Sequence, residues 1–66
     1  MIKISKNLKT EHVAKLSLAQ RQEIGRAVRV VLQLRGLSGK EETKLFKEAM
    51  NSKVCDLEDT IEIKYE

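Results

Sequence analysis

Within the most hydrophobic stretch of the chain, Gln22, Arg26, Arg29 and Gln33 recur at i, i+4, i+7 and i+11. That spacing places the four side chains along one narrow face of an α-helix with 3.6 residues per turn. The other residues of the segment, Ile24, Ala27, Val28, Val30, Val31, Leu32 and Leu34, are apolar around roughly 200° of the circumference at about 100° per residue. A helix built this way demands burial. It also carries a guanidinium and carboxamide strip that must meet water, acid or nucleic acid.

The ends of that helix are written in capping residues. Ser17-Leu18-Ala19-Gln20 fits a capping box, so the spacing predicts a long helix over residues 18–35. Gly36 can take the left-handed position that ends a helix, with Leu37 placed for the hydrophobic contact of a Schellman end. Ser38-Gly39-Lys40-Glu41 fits a second capping box, opening a helix to about residue 50. Its expected buried face is Leu45, Phe46, Ala49 and Met50, and Asn51 is its expected stop. A shorter helix is expected over residues 10–16, capped by Thr10. Residues 52–59 fit either one turn of helix or a loop, with Val54 and Leu57 turned inward.

The two ends alternate with period 2. Ile2 and Ile4 interleave with Lys3 and Ser5, and Ile61, Ile63 and Tyr65 interleave with Thr60, Glu62 and Lys64. Two such strands invite antiparallel pairing, within the chain or across a dimer, with lysines facing glutamates. A two-stranded ribbon is marginal alone and needs helices on its apolar face. The expected fold class is therefore α+β: a small, mostly helical domain with two main helices and a short one. Its N- and C-terminal strands form a two-stranded ribbon. Residues 1–66 read as a single compact domain close to the lower size limit for independent folding.

Charge is unevenly spread. Residues 1–40 carry a formal charge of +7 and residues 41–66 carry −4, within a net +3. All four arginines, Arg21, Arg26, Arg29 and Arg35, fall in that basic part. The acidic part either folds back to neutralise it or leaves a bipolar surface whose basic face attracts an anionic partner. The longest apolar run is far shorter than the roughly 20 residues a membrane span requires, and residues 1–16 have no apolar signal-peptide centre. A single cysteine suits a reducing, cytoplasmic setting.

Catalytic chemistry finds few components. Cys55 lies beside Asp56, whose charge discourages thiolate formation, so it reads as a small packing residue. His12 stands near an expected helix start with no partner in sequence. Asp56, Glu58 and Asp59 lack the glycine and alternating oxygen ligands of a calcium loop. The three glycines form no phosphate-cradling loop. The expectation is a protein that is not an enzyme, with no cofactor and no metal.

The join between the two capped helices carries a resemblance. Ile24-Gly25, Val28-Arg29 and Arg35-Gly36-Leu37-Ser38, followed by Glu41, resemble the Cro/repressor-type helix-turn-helix family over residues 24–41. The resemblance implies the family's first two helices and a role in binding DNA. Glu42 stands where the family has a leucine, the turn glycine before the recognition helix is missing, and residues 51–59 hold three carboxylates. Carboxylates facing phosphate repel it, so no base-contacting residue carries over.

Two functions remain. The first is a DNA-binding transcriptional regulator that grips duplex with Gln22, Arg26, Arg29 and Gln33. Arg and Gln make bidentate contacts to guanine and adenine edges. Arg21, Lys15, Lys3, Lys6 and Lys9 would add backbone contacts. The second is a protein-interaction module of the adaptor, inhibitor or antirepressor kind carried by phages and mobile elements, docking the same face on an acidic protein surface. Either could act as a homodimer, and neither involves a membrane. Phe46 and Tyr65, the only aromatics, are expected inside, which argues against single-stranded nucleic acid.

Overall fold

The structure, a computed structural model, describes residues 2–66. Its elements run β1 (Ile2–Ile4), 3₁₀ turns at Lys6–Leu8 and Val13–Lys15, α1 (Leu18–Leu34), α2 (Gly39–Met50), a 3₁₀ turn at Val54–Leu57, and β2 (Ile63–Tyr65). This is the α+β architecture expected, with its ribbon closed within one chain.

Helix α1 begins where the sequence places it. The Gln20 amide donates to the Ser17 hydroxyl at 3.4 Å, one half of the capping box. It ends at Gly36, whose φ of +69° lies in the region that L side chains avoid. The Gly36 amide donates to the Gln33 carbonyl at 3.0 Å, closing the last turn. At α2 the Ser38 side chain does not cap; its carbonyl accepts from Glu42 at 2.8 Å. Glu41 and Glu42 put negative charge on the first turn, where the helix dipole favours it. Asn51 stops α2 as expected, and the Asn51 and Ser52 side chains donate to the Lys47 and Glu48 carbonyls at 3.0 and 2.8 Å.

Besides the second capping box, whose Ser38 side chain makes no cap bond, three expectations are corrected. The short helix over residues 10–16 is a 3₁₀ turn at Val13–Lys15, because this segment pairs outward instead of coiling on itself. The Val13 amide donates to Ser52, Val54 to Glu11 and Cys55 to Lys9, each at 2.9 Å. The ribbon is parallel, not antiparallel, with Ile2, Lys3 and Ile4 opposite Ile63, Lys64 and Tyr65. Alternation says which side chains share a face but nothing about strand direction. The long connection through two helices permits either direction, and a parallel pair requires a crossover of this kind. Lys3 therefore lies beside Lys64, and the expected lysine–glutamate pairing is absent from this register.

The third correction concerns what the helices bury. The core is Ile2, Ile4, Val13, Leu16, Ile24, Val28, Leu32, Val54, Leu57 and Ile61. Helix α1 thus buries one row, i, i+4 and i+8, rather than its whole apolar arc. Leu34 is 83% exposed, Val30 54% and Leu18 62%. Helix α2 contributes no fully buried residue; Leu45, Phe46, Ala49 and Met50 are all half-buried. A chain of this length has only one narrow core to offer, and it lies between the ribbon, the 3₁₀ turns and one row of α1.

Candidate binding face on the first helix

Gly36 and the two residues after it turn the chain back, so α2 packs along α1 with its C-terminal half beside the N-terminal half of α1. Phe46 and Met50 meet α1 at Gly25. A Cβ added at Gly25 would stand 3.3 Å from the Phe46 ring, closer than ordinary contact. The absent side chain is what allows the ring to settle against the helix backbone. On the solvent side of this contact runs an open groove of about 490 Å³. Leu18, Gly25, Phe46 and Met50 supply its apolar surface, and Arg21, Gln22, Arg26 and Arg29 its polar wall.

The strip read from the sequence is on the surface. Gln22, Arg26, Arg29 and Gln33 are all exposed on one side of α1. Among the described residues no carboxylate lies within 4.0 Å of the Arg26 or Arg29 guanidinium. The Arg29 guanidinium instead lies over the Phe46 ring, 4.8 Å from its centroid. Such a stack on an open surface is worth about 0.5–1 kcal/mol and holds the charge at the lip of the groove.

Arg21 is different. It is half-buried beside Met50 and Leu18, and its Nε is shielded from solvent with no hydrogen-bond acceptor. A buried donor without an acceptor costs about 1–3 kcal/mol, more when charged. Lys15 is exposed on its 3₁₀ turn and takes no part in the groove. Lys3 and Lys6 belong to the ribbon end, and the Lys9 ammonium lies over the Tyr65 ring at 5.6 Å. The structure therefore brings Arg21, Gln22, Arg26 and Arg29 together and leaves Gln33 further along the same strip.

Two features were missed from the sequence. Phe46 and Met50, expected inside, line the groove because α2 covers α1 from one side only. Their i, i+4 spacing was visible; the side of α2 left uncovered was not. Lys40, Lys44 and Lys47 form a second cationic row at i, i+4 and i+7 of α2, around from Phe46 and Met50. That row carried the same periodic signal as the arginine strip.

Elsewhere the chemistry is sparse. His12 is exposed, with its backbone bridged to Lys53. Cys55 is half-buried, its Sγ 3.9 Å from an Asp56 oxygen. Among the described residues no group of three or more His, Cys, Asp or Glu side chains is placed to hold a metal, and no helix is long and apolar enough to cross a membrane. Compared with known proteins, the chain matches no family model, no curated sequence and no solved structure.

Proposed function

We propose that this chain is a non-enzymatic interaction protein that holds an acidic protein partner against the groove face of α1. One observation carries the reading: three guanidiniums stand around an open groove whose floor is apolar. Arginine, aromatic and methionine side chains are the residues over-represented at the energetic centres of protein interfaces. The exposed Leu18 and Val30 flank the strip with more apolar surface. Surfaces that grip duplex are more polar than this, because most of their contacts go to phosphate.

A second reading, duplex DNA, is favoured by a specific observation. Gln22, Arg26, Arg29 and Gln33 project from one exposed strip, and the lysine row of α2 could add phosphate contacts. The resemblance to the Cro/repressor-type family belongs to this reading. After α2 the chain enters the turn at Val54–Leu57 with Val54 and Leu57 buried, so base readout would fall to α1.

Paired experiments separate the two. Capture from nuclease-treated lysate is expected to return one stoichiometric protein partner, lost in the Arg26→Glu, Arg29→Glu double variant. In parallel, labelled duplex is titrated at low salt. Tight duplex binding that weakens steeply with salt and disappears in the same variant would replace the protein reading with the DNA reading.

A further inference from the structure

Resting on the acidic-partner reading, we infer the form of that partner: an acidic, amphipathic α-helix of about three turns, laid along the α1–α2 groove as a third helix. Its apolar row covers Leu18, Gly25, Phe46 and Met50, and carboxylates on the adjoining face meet Arg26 and Arg29.

The walls dictate the backbone. Both are helices, whose amide and carbonyl groups are already paired within themselves. An extended segment set on this floor would find no strand edge, and its backbone groups would be left unpaired against apolar side chains. A helix brings its hydrogen bonds with it, which is why grooves between helices take amphipathic helices. From Leu18 to Arg29 the groove follows about 16 Å of α1 at 1.5 Å per residue, the length of three turns.

The walls also dictate the pattern. The floor is apolar, with Phe46 and Met50 seated over Gly25, so aliphatic or aromatic side chains of a partner pack on Leu18, the Phe46 ring and Met50. The polar residues come from α1, and the charged ones among them are all arginines. A partner with its carboxylates on one side of the apolar row therefore fits in one orientation about its own axis. Arg29 lies over Phe46, which biases its planar fork toward the lip of the groove before a carboxylate arrives. Arg21, with its shielded Nε, adds a third positive charge at the Leu18 end of the groove.

Three synthetic peptides of equal length test this by fluorescence anisotropy on the full chain. One places leucines at i, i+3, i+4 and i+7 with glutamates beside them. The second has the same composition in strict alternation, and the third is oligoglutamate. The helical pattern is expected to bind at least about tenfold tighter than the other two. Leu18→Glu should weaken it about tenfold or more without lowering the melting temperature, because Leu18 is exposed at the first helical position, where a carboxylate suits the helix. Amide shifts in the wild-type protein, which need no variant to fold, should move at Leu18, Gly25, Phe46 and Met50.

Equal binding by all three peptides would overturn the helix-in-groove inference while leaving an acidic partner in place. Shifts confined to Lys40, Lys44 and Lys47 would overturn it too, moving the contact to the lysine row. If no peptide binds at low salt, the inference also falls, and the acidic-partner reading is then judged by the capture experiment alone.

Discussion

Helix α1 shows two faces that differ in every respect that matters for function. Its inner row, Ile24, Val28 and Leu32, is sealed from water, while its outer strip, Gln22, Arg26, Arg29 and Gln33, is open along its length. Both rows come from one 17-residue helix, interleaved at neighbouring positions. Stability depends on the first, and the second stays exposed to solvent. In a domain this small the two tasks could easily have been entangled, with arginines neutralised by nearby acids. Their separation implies that substitutions on the outer strip should weaken binding while costing little stability, whereas those on the inner row should act on stability first.

The sharpest way to test the separation is on the inner row. Ile24 is completely buried among core side chains, so Ile24→Ala should cost about 2–5 kcal/mol in urea unfolding. A small single core has only about 3–5 kcal/mol to lose, so this one substitution should remove much of the stability. A loss below about 1 kcal/mol would mean that the inner face is not what holds the fold. Next in size is the turn that brings α2 alongside. Gly36→Ala places a Cβ on a residue with φ +69°, with an expected cost of about 1–2 kcal/mol by the same measurement.

The outer strip should behave in the opposite way. Arg26→Ala and Gln22→Ala are expected to change unfolding free energy by less than about 0.5 kcal/mol. Arg29→Ala should cost slightly more, about 0.5–1 kcal/mol, through its lost stack on Phe46. Partner binding should nevertheless fall about tenfold for each arginine removed, in keeping with a loss near 1.4 kcal/mol at an interface centre. A large stability loss from Arg26→Ala would erase the distinction between the faces.

How much of this could be read in advance follows the same division. The helical hairpin was legible because its signals are local: Ser17 caps, Gly36 turns, Asn51 stops, and the arginine strip keeps its period. The direction of the ribbon was not, since Ile2 and Ile63 are brought together by everything between them and their alternation fits either sense. Which apolar residues stay outside was also out of reach. Val30 and Leu34 look no different from Val28 and Leu32 in a helical wheel, and only the narrowness of the core distinguishes them. The groove fell on the same blind side. Gly25 and Phe46 are distant in sequence, and their contact depends on how α2 lies across α1.

The smallest expected effect lies at the ribbon, where the division between buried and open is least clean. Tyr65 is half-buried, and its hydroxyl, shielded from solvent, lies near the Glu58 carboxylate but outside good hydrogen-bond geometry. Burial first, and then the nearby Glu58 carboxylate, push its phenol above the ordinary value of 10.0. Between that value and the higher one in the folded chain, the unfolded state releases the proton and the folded state keeps it. The stabilisation is therefore complete below about pH 10 and is lost as the pH climbs further. Tyr65→Phe removes both the titration and an unpartnered polar atom. At pH 7 it should leave stability within about 0.5 kcal/mol of the wild type, or slightly raise it. Above pH 10 the wild type should lose stability relative to the variant in paired urea titrations. Identical alkaline profiles for the two would mean that the phenol is solvated, and that the β2 end of the ribbon belongs with the open surface and not with the core.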